Sequence, residues 1–305
     1  MGISRYPSSV TLPEMNPPYP SLREFLSIRF PAVSAERWDQ RMAEGKLLDE
    51  TGNPLSPECK YRPGRRLLYF REVDAEPVIP FTETILLQDD ELLVACKPPF
   101  LPVTPGGRYV EECLLYRLRR RTGIDALVPL HRIDRETAGI VLFSVNPETR
   151  GHYAALFREG AVDKTYHALS VTVPCSGRTS WDLADRIVRG EPWFRMKSVA
   201  GPVNARSVIT LAEVRGGMAR FVLHPLTGKT HQLRLHLSGL GFGILNDRYY
   251  PELQQERADD YARPLQLLAK SIRFIDPVSG RQREFFSQRE LAWAPAPPAS
   301  PSPSP

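Results

Sequence analysis

The chain has 305 residues, 42% of them hydrophobic, and carries 40 Lys and Arg against 35 Asp and Glu, for a net charge of +5. That length and apolar content support one large domain plus a small one, and the positive balance suits a polyanionic partner. Cys59, Cys96, Cys113 and Cys175 have neither disulfide-like nor zinc-like spacing, and no signal peptide or long apolar run stands out; this argues against a secreted disulfide scaffold or a membrane span and for a soluble protein of the reducing cytoplasm.

Residues 1–20 are rich in Pro and Ser, ending Asn16-Pro17-Pro18-Tyr19-Pro20, and are expected to be flexible. Ser21 is an N-cap candidate for a helix through Phe25 and Leu26, and a second helix is predicted from Ala35 to Glu44, stopped by Gly45. Lys46 to Leu55 reads as a hairpin, with a later turn at Arg62-Pro63-Gly64. Residues 21–72 therefore form a small α+β module, and 73–82, around Glu76-Pro77 and Pro80, form a linker. A larger unit, 83–290, follows the linker. Arg117, Arg119, Arg120 and Arg121, before Gly123, make the densest basic cluster. Such a run is usually a solvated helix face, but its nearness to the loop described next makes it a candidate for phosphate contact.

That loop is His131-Arg132-Ile133-Asp134-Arg135-Glu136-Thr137-Ala138-Gly139. It runs into Ile140-Val141-Leu142-Phe143, a continuous apolar stretch that reads as a strand covered on both faces. Asp134 thus stands between two arginines on a loop anchored by rigid structure. Neighbouring guanidinium groups favour an ionised carboxylate, which makes Asp134 a poor general base near neutrality and a candidate nucleophile or electrostatic stabiliser. Taken alone, the same loop could be an ordinary surface turn with solvated ion pairs.

Beyond it, Asn146-Pro147 opens a helix closed by Gly160, with Tyr153, Leu156 and Phe157 on one face as core. In the strand Lys164 to Val173, alternation puts Leu169, Val171 and Val173 on one face and Lys164, Tyr166 and Ala168 on the other. With the first face as core, Tyr166 points into the opposite layer or a cleft. Further strands are expected from Ser198 to Phe221 and over Ser271 to Ile275. Arg234 lies on a predicted helix with Thr230 as N-cap and Gly239 or Gly241 as stop. Many strands with interspersed helices, without a regular βα repeat, argue for an α+β domain with a largely antiparallel mixed sheet. The tail over 291–305 is Pro, Ala and Ser, and is expected to be disordered.

Four ordered segments carry a family resemblance. His131-Arg132-Ile133-Asp134-x-x-Thr137-Ala138-Gly139 resembles the active-site signature of the RluA family of RNA pseudouridine synthases, usually His-Arg-Leu-Asp-x-x-Thr-Ser-Gly. Upstream, Ile85 to Pro98 with Leu101-Pro102-Val103 resembles the opening strand of that family. Lys164-Thr165-Tyr166 resembles its Lys-x-Tyr strand, and Thr227-Gly228-Lys229-Thr230-His231-Gln232-Leu233-Arg234-Leu235-His236 its Thr-Gly-Arg-Thr-His-Gln-Ile-Arg-Val-His segment, followed by Asn246-Asp247-x-x-Tyr250. The similarity spans roughly 83 to 290, and four segments in order are far more specific than one. The chain departs from the pattern at Lys229 (Arg in the family), Ala138 (Ser), Asn246 (Gly) and Phe100 (Gly). None of these touches Asp134, Tyr166 or Arg234.

The resemblance implies a pseudouridine synthase catalytic fold and isomerisation of specific uridines in structured ribosomal or transfer RNA. It makes Asp134 the nucleophile, Arg234 its charge partner and Tyr166 the residue against the uracil. It brings His131, Arg132, Arg135, Thr137, Lys164, Lys229, His231 and Gln232 to the RNA, with Arg132 filling the space left by an extruded base. No cofactor or metal is expected: the sequence lacks a Gly-rich phosphate loop, a His-Glu-x-x-His motif and paired cysteines. No membrane contact is expected, and no zipper pattern suggests assembly beyond a monomer. The 21–72 module is similar in element order to the alpha-L type of RNA-binding module, with Lys60, Arg65 and Arg66 as first candidates for phosphate contact. Two competing functions are a non-catalytic RNA-binding protein that retains the scaffold, and a glycosidase-like hydrolase. The latter needs a second positioned carboxylate, for which Glu136 and Asp163 are the candidates.

Overall fold

The computed structural model describes residues 2–4, 6–31, 33–73, 75–255 and 258–293, so the tail expected to be disordered lies, from 294 on, outside the described residues. The chain divides into two compact units, Met1–Pro77 with Pro105–Glu111, and Val78–Thr104 with Glu112–Pro305. Among the described residues no helix is long and apolar enough to cross a membrane.

The first unit contains β1 (Gly2–Ile3), β2 (Ser8–Thr11), α1 (Leu22–Arg29), α2 (Ala35–Ala43), β3 (Leu47–Asp49), β4 (Arg66–Tyr69) and β5 (Glu72–Val73). Its helices begin at serine caps: Ser21 Oγ accepts the Glu24 N–H at 3.1 Å and Ser34 Oγ the Arg37 N–H at 3.3 Å. Their apolar faces bring Leu22, Phe25, Leu26, Trp38 and Met42 onto Leu47 and Leu67 of the sheet. The N-terminal segment was expected to be flexible, but its residues Ser8–Thr11 form a strand. β2 pairs antiparallel with the edge of β4, and Leu12 is fully buried. The reason is the alternation Ser8-Ser9-Val10-Thr11-Leu12, which presents apolar side chains to the helices while its backbone pairs a strand edge otherwise left unpaired.

The expected hairpin at Lys46–Leu55 is present but short: the Leu55 N–H donates to the Leu47 carbonyl and the Asp49 N–H to the Asn53 carbonyl, both at 2.9 Å, around a single Leu48–Pro54 bridge. The Asp49 carboxylate accepts the N–H groups of Thr51 and Asn53, and β3 finds its partner in β4. Hydrogen bonding to that turn, with Arg65 adding, holds the Asp49 carboxyl down to about 2. Arg65, a candidate for phosphate contact, is spent on this turn, 3.3 Å from Asp49, whereas Lys60 and Arg66 are exposed.

The second unit contains β6 (Thr84–Gln88), β7 (Leu92–Lys97), α3 (Leu114–Thr122), β8 (Val128–Pro129), β9 (Ala138–Ser144), α4 (Arg150–Arg158), β10 (Asp163–Ser170), β11 (Ser180–Arg189), β12 (Met196–Val199), β13 (Ala205–Arg215), β14 (Met218–Pro225), α5 (Gln232–Gly239), β15 (Leu267–Ile275) and β16 (Gln282–Phe286). One mixed sheet runs β12-β11-β13-β14-β10-β15-β9-β7-β6, with β16 on β15 and β8 on β9. Among the described residues its one parallel pairing, β15 with β9, is limited to Leu268↔Ala138 and Ala269↔Gly139. Everything else is antiparallel, which makes this the α+β domain that the strand pattern predicts. β7 and β9 are buried on both faces, as their unbroken apolar runs require.

Several boundaries differ from expectation. β11 was not foreseen, because Ser180 to Arg189 carries four charged residues, three of them exposed and Asp185 half-buried. β10 ends at Ser170, and Val171 is 60% exposed, so Val171 is no core residue. The face holding Tyr166 and Ala168 instead packs on a cluster containing Trp181, Phe221 and Leu237. The stretch taken as a linker is also pinned. Ile79 is buried, and Arg117 donates to the carbonyls of Ile79 at 2.8 Å and Phe81 at 2.6 Å while pairing with Glu112 at 2.5 Å. The basic cluster therefore loses Arg117 to an internal clamp. Arg119 likewise caps the Leu127 carbonyl at 2.8 Å.

Gly139 sets the geometry of the seam. Its φ is +114°, and a Cβ there would stand 2.2 Å from the Ala269 carbonyl oxygen. No side chain fits, because β9 and β15 approach backbone to backbone at this point. Gly139→Ala is expected to lower stability by about 4 kcal/mol, the sum of backbone strain and overpacking. Urea unfolding checks this; a wild-type midpoint would show that the seam can part without cost.

Candidate active site

The loop before β9 carries Asp134, whose side chain is 24% exposed. Across from it stands α5, which begins at His231 and not at Thr230. His231 has φ +55° and offers no side-chain cap. In place of a cap, the side chain of Gln232 ties the preceding loop. Its amide nitrogen donates to the Arg206 carbonyl and Ser207 Oγ, both at 2.8 Å, and its oxygen accepts from Thr227 Oγ1 at 2.7 Å and the Lys229 N–H at 3.1 Å. All four hydrogen-bonding positions of that amide are filled. Gln232, expected at RNA, is thus an interior brace.

The brace fixes the register of α5, which delivers Arg234, 1% exposed, to the base of the site. Its Nε and Nη2 bind Asp247 in a bidentate pair at 2.8 and 2.6 Å. Nη1 is left to face Asp134 Oδ2 at 3.5 Å and Glu136 Oε2 at 3.7 Å. Burial acts against the charged guanidinium, but the Asp247 hydrogen bonds and the surrounding carboxylates outweigh it and hold Arg234 above its usual range. Asp247 is anchored in turn by the N–H groups of Tyr249 at 2.8 Å and Tyr250 at 3.2 Å. The ring of Tyr249 lies 4.8 Å from the guanidinium carbon. Asp247 was quoted in the sequence only within the Asn246-Asp247-x-x-Tyr250 segment, with no role, and Tyr249 was not named. That segment was the signal for Asp247; the chain pattern alone does not show that it pairs with an arginine thirteen residues before it.

His231 Nε2 is 3.9 Å from Asp134 Oδ2, and Nδ1 is 3.1 Å from the Tyr250 hydroxyl. Burial pulls the imidazole below its ordinary range, only partly offset by the Asp134 charge, so it is neutral at pH 7. Tyr166 sits on β10 opposite Ala269, the residue that meets Gly139 one strand further on. Burial and then the charge of Asp134 push its phenol above the usual tyrosine range. It enters any reaction as a neutral hydroxyl that can hold or pass a proton, not as a standing phenolate.

Other expected site residues fall in two groups. His131 faces inward: its Nε2 accepts the Leu142 N–H at 3.1 Å and its ring stacks on Phe157 at 4.8 Å, while burial lowers its pKa to about 3. Thr137 is 2% exposed. Arg135 binds Asp259 at 2.8 Å and Glu136 at 2.8 Å. Arg132 and Lys229, in contrast, are exposed, with no ion pair among the described residues, and Lys164 is half-buried, its pKa lowered by burial.

Neither second carboxylate suits a hydrolase. Burial would raise the Glu136 carboxyl, but the charges of Arg135 and Arg234 bring it below its ordinary value, and Asp163 is 73% exposed against Arg273. Phe100 and Asn246, where the family pattern has Gly, both adopt φ +65°. Asn tolerates that region; Phe100 is held in it by packing between Phe81 at 6.2 Å and Tyr261 at 5.2 Å.

Lys97, quoted above only as part of a strand, proves structural to the site. Fully buried, its Nζ donates to the carbonyls of Pro98 at 2.9 Å, Leu101 at 2.7 Å and Arg135 at 3.0 Å, lacing the Asp134 loop to the end of β7. Burial, against the pull of Glu136 and Asp134, lowers its pKa to about 7. The unfolded chain keeps that proton to about 10.5, so between pH 7 and 10.5 the unfolded state binds more protons and this residue's contribution to stability rises with pH. Relative to Lys97→Met, which cannot titrate, the wild type is expected to gain about 2 kcal/mol from pH 7 to 9. Urea unfolding of both proteins at the two pH values measures this; a constant difference would contradict it.

This geometry agrees with what the chain is similar to. Residues 91–239 match the family model described as RNA pseudouridylate synthase. An RNA pseudouridine synthase of Synechocystis is 28% identical over 74% of this chain and 78% of its own length. The dual-specificity RNA pseudouridine synthase RluA of Haemophilus influenzae is 28% identical over 70% and 96%. The solved structure of human RNA pseudouridylate synthase domain containing 4 superposes with a TM-score of 0.52 at 25% identity, covering 68% of this chain and 88% of that one. The mostly antiparallel sheet, the match across Asp134 and Arg234, and these relatives agree: the chain carries an RluA-type pseudouridine synthase domain.

Proposed function

We propose that the protein converts uridine to pseudouridine within RNA, with Asp134 as the reacting carboxylate. The observation that carries this reading is a partly exposed carboxylate, Asp134, facing the remaining nitrogen of a buried, doubly anchored arginine. Arg234 spends two of its three nitrogens on Asp247, so the third is a fixed positive point that orients Asp134. In the reaction the bond from C1′ to ring N1 breaks, the uracil turns while bound, and C5 bonds to C1′ as its proton leaves. Asp134 either forms a covalent link to the base or the ribose, or stabilises charge while the 2′ proton is removed. Tyr166, neutral and beside the seam, lies against the uracil and passes the proton. Exposed Arg132 takes the space of the extruded base, and Lys229 and Lys164 meet phosphates.

The same reading takes the enzyme to be a cofactor-independent cytoplasmic monomer acting on ribosomal or transfer RNA, with the first unit as an auxiliary RNA-binding module. The test is release of tritium from RNA labelled at uridine C5, using separate ribosomal and transfer RNA from cells that lack the protein. Release from one pool, with pseudouridine recovered after digestion, is expected. RNA binding without release from either pool would favour the non-catalytic alternative.

A further inference from the structure

Trp193 is 72% exposed, the most exposed aromatic side chain among the large hydrophobics of the described residues. It stands at the tip of the β11–β12 hairpin, on a loop held closed by Gly190 N–H to the Arg195 carbonyl and Arg195 N–H to the Pro192 carbonyl, both 2.8 Å. The loop is also tied to the segment that anchors the active-site arginine. The Met196 N–H donates to the Tyr250 hydroxyl at 2.7 Å, and Arg195 Nη2 donates to the Pro251 carbonyl at 3.0 Å. A bulky indole is thereby fixed in solvent, where it gains nothing from burial.

From this ring a series of aromatic contacts runs to the site. Trp193 meets Phe194 at 5.9 Å, Phe194 meets Tyr249 at 5.3 Å, and Tyr249 meets His231 at 5.5 Å, whose Nε2 is 3.9 Å from Asp134. Arg189 and Lys197, where the two strands approach the loop, are exposed and have no ion pair among the described residues. An exposed ring flanked by cations, at the outer end of an aromatic path to a nucleophile, has the composition of a base-stacking platform.

We propose that Trp193 stacks against an unpaired base of the RNA strand that carries the target uridine, with Arg189 and Lys197 on the adjoining phosphates. The proposal rests on the pseudouridine synthase reading for its substrate. It fixes the kind of RNA taken: one with a second splayed base near the uridine, not a continuous duplex.

The test compares wild type, Trp193→Phe and Trp193→Ala. A labelled short oligouridylate reports binding by fluorescence anisotropy, and stacking is read as the part of the intrinsic-fluorescence quenching that Trp193→Ala loses, since Trp38 and Trp181 are buried and the half-buried Trp293 is present in every variant. Trp193→Ala is expected to weaken binding about 5- to 150-fold, the range for loss of one base–aromatic stack, with Trp193→Phe much closer to wild type. Quenching on titration is expected in wild type only. With bulk cellular RNA as substrate, Trp193→Ala should raise KM by a similar factor and leave kcat within about threefold. Equal oligouridylate affinity in wild type and Trp193→Ala would overturn the proposal, as would wild-type binding without quenching. If wild type binds the oligouridylate through Trp193 but modifies no RNA, the catalytic reading fails while the platform stands.

Discussion

Asp134→Asn is expected to lower pseudouridine formation by about 10⁴-fold or more while leaving the folded state within about 1 kcal/mol of wild type. The substitution keeps the shape of the side chain and removes its charge and nucleophilicity. Little else depends on it: Asp134 is a quarter exposed, and its nearest cation stands 3.5 Å away with a better partner in Asp247. Stability therefore barely responds, whereas any mechanism in which the carboxylate attacks or stabilises charge fails. Tritium release and thermal unfolding on the same preparation separate these effects. Activity within tenfold of wild type in well-folded protein would remove Asp134 from the chemistry.

Arg234 is expected to behave differently, because it serves stability and the site together. Arg234→Met leaves the 0% exposed Asp247 carboxylate in the interior without its cation, and breaking a buried pair from one side costs about 3–5 kcal/mol. Activity should fall with it, since Asp134 loses the fixed charge that orients it. The double variant Arg234→Met/Asp247→Asn removes the stranded charge and should recover much of the stability, about 2 kcal/mol or more, without recovering activity. Arg234→Lys tests geometry: one ammonium cannot bind Asp247 in two places and face Asp134 as well, so activity should stay low even where the fold is kept. Urea unfolding and single-turnover rates for the three variants decide this. Full activity in the double variant would show that Asp134 needs no arginine.

The sequence made some of this architecture legible because local chemistry dictated it. Ser21 before apolar helical spacing, Gly45 after the second helix, and the uninterrupted Ile140 to Phe143 run each have one good local solution, and the fold adopts it. Asp134 stood out because its neighbours on the chain are arginines. Yet the arginine that faces it is Arg234, a hundred residues away, and in the sequence that pairing was visible only through resemblance. Arg135 turns to Asp259 instead. What local pattern could not show was tertiary partnership. Gln232 looked like a polar residue beside a site, but four internal groups saturate it. Lys97 looked like the end of a strand, but it laces two loops together. The N-terminal segment read as flexible because Pro and Ser dominate it, although four of its residues suffice to complete a sheet edge.

The most direct test of the central claim is a pseudouridine map of ribosomal and transfer RNA from cells lacking this protein, complemented with wild type or with Asp134→Asn. The expected result is loss of pseudouridine at a defined uridine in the deleted strain, restored by wild type and not by the variant. Restoration by Asp134→Asn, or a map unchanged by deletion while the purified protein binds but does not modify those RNAs, would contradict it.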